Sequence, residues 1–239
     1  MTLWNKDSEM STAKKIRLTP AEYLVFERES ELKHEFYRGE VFAMTGARRN
    51  HNRITTNISR RISEQFDDRP CENFSSDMRI KVSATGLYTY PDVVATCEEP
   101  TFEDDEVDTL LNPQMIIEVL SDSTEKYDRG EKFTQYRNVS SLKDYVLVSQ
   151  KHPQVTIFSR QPDETWVMRV VDSMQSSITI PSIDVTLKMQ DVYARVEFET
   201  TTETQAATDT KQAGSIPPAC RNSANRSIEI AHHFSCTAI

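Results

Sequence analysis

Met115-Ile116-Ile117-Glu118-Val119-Leu120 decides the architecture, together with the short link Ser121-Asp122-Ser123-Thr124 and the helical stretch after it. Six residues that are apolar on both faces, except at one position, describe a strand covered on both sides and hence central in its sheet. The link is short enough to return the following helix, expected from about Asp128 to Arg137, onto that sheet. Another apolar run, Tyr145-Val146-Leu147-Val148, then predicts a neighbouring strand. Strand, helix, strand is the signature of an α/β layer.

Outward from this unit, Asp92-Val93-Val94-Ala95-Thr96, entered from Tyr90-Pro91, and the alternating Met78-Arg79-Ile80-Lys81-Val82 predict two more strands. Shorter ones are expected at Val155–Phe158, Trp166–Val171 and Ile178–Ile180. Ile54, Ile58, Ile62 and Phe66 recur every four residues, which places one apolar stripe of a helix against a core. Further upstream, Thr19 reads as an N-cap with Pro20 at the first helical position and Glu22 three residues after the cap, opening a helix to about Leu32. Phe36-Tyr37, Arg38-Gly39 and Val41-Phe42-Ala43 form a hairpin signature. The expected fold is therefore α/β, a mixed central sheet flanked by helices.

Both ends of the 239-residue chain differ in character from its middle. Residues 1–15 are mixed polar with no apolar core and read as a disordered leader rather than a secretory signal. Residues 199–239 begin with a Thr-, Ala- and Ser-rich run poor in apolar side chains and read as a disordered tail. The folded domain is expected over residues 16–198. No apolar run approaches the roughly 18–20 residues that cross a bilayer. Cys71, Cys97, Cys220 and Cys236 lie far apart without metal-ligand spacing, so reduced thiols and a cytoplasmic setting are expected.

The formal net charge of −9 argues against a nucleic-acid partner until its distribution is considered. Glu98–Asp108 (EEPTFEDDEVD) holds seven acids and no base, an acidic surface loop. Arg48, Arg49, Arg53, Arg60 and Arg61 occupy a stretch with no acid. A basic surface is compatible with this segregation, as is an ordinary solvated helix face.

Glu118 is the position most in need of explanation. A carboxylate among Ile116, Ile117, Val119 and Leu120 is costly to bury unless it has a cation for company, or takes up a proton. A buried Arg or Lys, a divalent metal or a catalytic role would each explain it. Asp92 opens another strand, and if the two strands are neighbours both carboxylates reach one point. Two hard oxygen ligands with room for water suit Mg²⁺, with Mn²⁺ as the alternative, better than Zn²⁺. Asp128, Lys132 and Tyr136 fall on one helix face at four-residue spacing. Lys132 is then either a surface ion-pair partner of Asp128 or an ammonium placed to orient water and stabilise charge on a phosphate.

Tyr90-Pro91-Asp92, Ile117-Glu118-Val119-Leu120-Ser121 and Asp128-x-x-x-Lys132-x-x-x-Tyr136 together resemble the putative restriction endonuclease domain family, abundant in cyanobacteria, of the PD-(D/E)XK nuclease superfamily. Leu18-Thr19-Pro20-x-x-Tyr23, His34-Glu35-x-x-x-Gly39-Glu40-Val41 and His51-Asn52 extend the resemblance over about Ile16 to Val196. It implies a restriction-endonuclease-like core, Asp92 and Glu118 as metal ligands, and a Mg²⁺-dependent endonuclease acting on DNA. The superfamily places a lysine two residues after the acid, where this chain has Leu120; the resemblance implies that Lys132 takes its place. Glu35 and His51 match family positions, the first as a supporting carboxylate, the second as a phosphate contact or a half-buried histidine. Arg48, Arg49 and Arg53 are candidate DNA-backbone contacts. Double-strand cleavage would favour a homodimer. The alternatives are a catalytically weak or inactive module of the same fold that binds DNA or protein, and, more distantly, a glycosidase using Asp92 and Glu118, for whose sugar cleft two tryptophans are few.

Overall fold

In the computed structural model the described residues are 17–198; the expected leader and the whole of the expected tail, with Cys220 and Cys236, lie outside them. The first helix, α1 (Pro20–Glu29), opens as its sequence requires. The Glu22 amide donates to Thr19 Oγ1 while the Glu22 carboxylate accepts from the Thr19 amide, a reciprocal capping box. The hairpin β1 (His34–Tyr37) and β2 (Glu40–Ala43) turns at Arg38-Gly39, with φ of 51° and 87°. Two successive positive φ values are what a two-residue hairpin needs to match strand twist, and Gly39 takes the second without strain.

The long helix α2 (Arg49–Phe66) is followed by β3 (Glu72–Ser75), β4 (Arg79–Val82), β5 (Leu87–Thr89), β6 (Val93–Thr96), β7 (Thr109–Leu110) and the central β8 (Met115–Leu120). The segment after β8 is one run of helical turns: α3 (Glu125–Tyr127), a π-helical turn (Asp128–Lys132) and α4 (Phe133–Tyr136). It starts earlier than expected and is not uniformly α-helical. The chain then continues through β9 (Asp144–Ser149), β10 (Val155–Arg160), β11 (Trp166–Val171), β12 (Ser177–Ile180), β13 (Val185–Lys188) and the short α5 (Met189–Val192).

The main sheet has six strands in the order β11-β10-β9-β8-β6-β3. β8 runs parallel to β9 and antiparallel to β6, so the sheet is mixed and β8 is internal. Its alternation divides the core. Met115, Ile117 and Val119 pack with Ile54, Ile58, Ile62 and Phe66 of α2 and with Ile178, Ile180, Val185 and Leu187 of β12 and β13. Ile116 and Leu120 point the other way, into a second cluster with Tyr136, Tyr145, Leu147 and Ile80, Val82 and Leu87. Those last three belong to a separate five-stranded sheet, β2-β1-β5-β4-β7; its hairpin and β4 are the expected ones, whereas β5 and β7, of three and two residues, and the division into two sheets are not visible in the sequence. Among the described residues no helix is long and apolar enough to cross a membrane.

Two expectations need correction. The antiparallel register of β3 and β6 pairs Glu72 with Thr96, so the flanking Cys71 and Cys97 are brought together and form a disulfide rather than staying as separate thiols. Sequence distance hid a pairing that strand register creates. The acidic loop, in turn, is not merely solvated. Arg28 of α1 pairs with Asp104 and Asp108, each at 2.8 Å, Arg79 pairs with Asp108 at 2.8 Å, and Lys81 pairs with Glu103.

Candidate active site

Glu118 lies on the face of β8 opposite α2, where only 4% of it is exposed. The β6–β8 register pairs Val93 with Ile117, and its next step places Asp92 across from Glu118 on the same face. Asp92 is fixed there by the Val119 amide, which donates to its Oδ2 at 2.7 Å, and by His51 Nε2 at 3.1 Å from the same oxygen. His51 projects from the first turn of α2, and its buried Nδ1 has no hydrogen-bond partner among the described residues.

The helical turns after β8 supply the cation. Lys132 Nζ lies 2.8 Å from Glu118 Oε1, 3.4 Å from Glu35 Oε1 and 3.7 Å from Asp128 Oδ1. Asp128 and Lys132 are 3% and 5% exposed, so the reading of a surface ion pair between them is wrong. They bound the π-helical turn, a wider turn that inserts a residue into the helix and is frequent where side chains are aimed at a site. One helical turn further, the buried Tyr136 hydroxyl donates to Glu118 Oε1 at 2.7 Å. Glu35 arrives from the other sheet: the β1–β5 register pairs Phe36 with Tyr88, which sets Glu35 beside Thr89, whose hydroxyl donates to it.

Three carboxylates around one ammonium leave the pocket with surplus negative charge, and the ionisation behaviour follows. Burial pushes the Glu118 carboxyl up to about 8 against the pull of Lys132, with Asp128 and Asp92 adding to the rise. Asp128 is also raised, chiefly by burial. Burial opposes the charge of Lys132, but Glu118, Glu35 and Asp128 more than offset it and hold the ammonium well above the ordinary lysine range. The lysine is therefore a fixed cation and the carboxylates adjust around it.

Asp92, Glu118, Lys132, Glu35 and His51 are thus brought into one contiguous site. Arg48, Arg49 and Arg53 are placed less simply. Arg48 is the exposed N-cap residue of α2, Arg49 lies 3.4 Å from Glu197, and Arg53 donates to the Arg195 carbonyl at 2.6 Å. The sequence reading missed Tyr136 as a partner of Glu118, although its four-residue spacing from Lys132 was the available signal, and it missed Thr89 entirely.

The donor chemistry admits a hard cation. In each carboxylate one oxygen is committed to orientation, Asp92 Oδ2 and Glu118 Oε1, while Oδ1 and Oε2 accept no hydrogen bond from the described residues. No group of three or more His, Cys, Asp or Glu side chains able to hold a metal occurs among the described residues. Two carboxylates completed by water and substrate phosphate is the arrangement Mg²⁺ commonly takes.

The Uma2 family, described as "Putative restriction endonuclease", matches residues 20–190. This chain belongs to that family. Two relatives come from Synechocystis: uncharacterized protein sll1609, 40% identical over 63% of this chain and 85% of its own length, and uncharacterized protein slr1290, 32% identical over 76% and 94%. Among solved structures, a putative nuclease belonging to DUF820 from Anabaena variabilis superposes with a TM-score of 0.62 at 16% identity, over 74% of this chain and 97% of that one. At that identity the likeness establishes the fold. The mixed sheet between helices is the restriction-endonuclease-like architecture, and the family makes the protein nuclease-like.

Proposed function

We propose that the protein is a metal-dependent DNA endonuclease that hydrolyses phosphodiester bonds at the Asp92–Glu118–Lys132 site. The observation that carries this reading is the register that sets Asp92 across from Glu118 with the Lys132 ammonium 2.8 Å from the latter. Asp92 and Glu118 would hold Mg²⁺ or Mn²⁺, which would polarise a phosphate and make water a better nucleophile near neutral pH. Lys132 fixes Glu118 and would place its positive charge beside an attacking water or the charge developing on the phosphate. Tyr136 holds Glu118 through Oε1 and leaves Oε2 without a hydrogen bond from the described residues; His51 does the same for Asp92 through Oδ2. Glu118 takes a proton readily because it is buried, and cation binding would release that proton.

The test is nicking of supercoiled plasmid in Mg²⁺, Mn²⁺ and EDTA by the wild type and by Asp92→Ala, Glu118→Gln and Lys132→Met. The reading requires metal-dependent nicking that falls on the order of 10²–10³-fold in each variant, the usual cost of losing one group that stabilises developing charge. Equal rates in all four proteins would remove the site. A second reading, a non-catalytic module binding DNA or protein, is favoured by Lys132 being already surrounded by three carboxylates and by the absence of a third ligand among the described residues. Calorimetric titration separates the two. No heat at millimolar Mg²⁺ or Mn²⁺, in wild type and Glu118→Gln alike, would favour the module.

A further inference from the structure

Beside the Asp92 end of the site a cavity of about 340 Å³ opens between α2 and the end of β3. On the helix side it is lined by Thr55, Thr56, Ser59 and Arg60, and on the strand side by Ser75 and Ser76. In a chain of net charge −9, none of the lining residues is acidic. Nor is any of them a large apolar side chain, so the groove has nothing to offer a hydrophobic segment.

Thr55 is the informative residue. It is 7% exposed, and its Oγ1 is buried without a hydrogen-bond partner. A helical threonine normally satisfies its hydroxyl by bonding back to the carbonyl one turn earlier, and a buried hydroxyl left unpaired is destabilising. Thr56, Ser75 and Ser76 likewise make no side-chain hydrogen bond among the described residues, whereas Ser59 and Ser63 are engaged by Asn73. Arg60 pairs with Glu64 at 2.6 Å, but that pair is half exposed. Such pairs contribute little, so a phosphate can replace the carboxylate at small cost. Lys33 Nζ donates to the Ser76 carbonyl at 2.8 Å beside the strand wall, but it also pairs with Asp77 at 2.9 Å and so adds no uncompensated cation there.

Both walls lead to the site. Asn52, which also lines the cavity, follows His51 directly, and the Ser76 amide donates to the Asp92 carbonyl at 3.1 Å.

We propose that this groove binds the sugar–phosphate backbone of the DNA strand adjoining the scissile bond, with the Thr55 hydroxyl and Arg60 as phosphate contacts. Hydroxyls, amide groups and an arginine are the side chains that hold phosphates and position a duplex without reading its sequence. The inference rests on the endonuclease reading, and it moves the principal backbone contact from Arg49 and Arg53, which are turned toward residues 195–197, to the groove beside Asp92.

The experiment is fluorescence anisotropy with a short labelled duplex, using the full chain with Glu118→Gln in EDTA, alone and combined with Thr55→Val or Arg60→Gln. Thr55→Val should weaken binding on the order of tenfold, as loss of one hydrogen bond to a charged group does, while its thermal midpoint stays level or rises because an unpaired hydroxyl has been removed. Arg60→Gln should also weaken binding and lower the salt slope by about one phosphate contact. Inorganic phosphate at matched ionic strength should not displace the duplex; displacement would reduce the groove to a single-anion site and overturn the strand reading. Unchanged affinity in both variants would overturn it too. The two readings fail separately: plasmid nicking that survives Glu118→Gln removes the catalytic assignment, whereas groove binding is scored by affinity alone.

Discussion

Two polar clusters, one partly exposed around Asp108 and one buried around Lys132, treat their carboxylates in opposite ways. Around Asp108, charge is matched: the guanidinium groups of Arg28 and Arg79 face the carboxylates of Asp104 and Asp108, while the neighbouring Glu27 lies 2.9 Å from the His34 ring. Tyr90 links the two halves, donating to Glu27 and accepting from Arg79, both at 2.9 Å. There the Arg28 side chain, bonded to Asp108, pulls that carboxyl down to about 2. Around Lys132 one ammonium faces Glu118, Glu35 and Asp128, and burial pushes Glu118 up to about 8. A matched cluster joins elements: it ties α1 and β4 to the acidic loop. A cluster with surplus negative charge is poised to take up a cation or proton, which is the property a catalytic centre needs.

The contrast can be broken most sharply at Lys132. Lys132→Met leaves three carboxylates without their cation and should cost about 3–5 kcal/mol in urea unfolding, the usual penalty for removing one partner of a buried pair. Adding Glu118→Gln should restore part of that loss, because one uncompensated acid is removed. Wild-type stability in the single variant would mean that the cluster carries no net charge to balance. Tyr136→Phe deletes one hydrogen bond to a carboxylate and should cost about 1.5–3 kcal/mol by the same measurement; a smaller effect on stability with a large one on nicking would assign Tyr136 to orienting Glu118.

Titration sharpens the comparison because the two clusters predict slopes of opposite sign. Asp108 is held below its ordinary value, so its contribution is present above about 3.8 and is lost as pH falls through about 2. Glu118 is held above its ordinary value, so the metal-free protein gains from its protonation below about 4.5 and loses that gain as pH rises through about 8. Unfolding midpoints in EDTA should therefore fall toward acid less steeply in Asp108→Asn than in wild type, and toward neutral pH less steeply in Glu118→Gln. Parallel curves for all three proteins would erase the distinction. The smallest effect is expected of Arg28→Gln. This partly exposed pair is screened by solvent and should cost under about 1 kcal/mol.

Much of this was legible before any coordinates. The unbroken apolar run around Glu118 marks β8 as internal, the four-residue stripe of α2 marks its buried face, and the Thr19–Glu22 box starts α1, because each signal depends on residues within one or two turns of each other. A lone acid in an apolar strand is likewise a local anomaly, visible wherever the strand ends up. What chain order could not supply was pairing. Strand register alone sets Asp92 across from Glu118, Glu35 beside Thr89, and Cys71 next to Cys97. In the second sheet the hairpin and β4 could be read, but β5 and β7, of three and two residues, carry too little periodicity to be read alone. The balance of charge in each cluster was likewise hidden, since it depends on which elements meet in space. Hydrophobic spacing is written into neighbouring residues, whereas the number of acids facing one lysine is settled only when two sheets and a helix pack together.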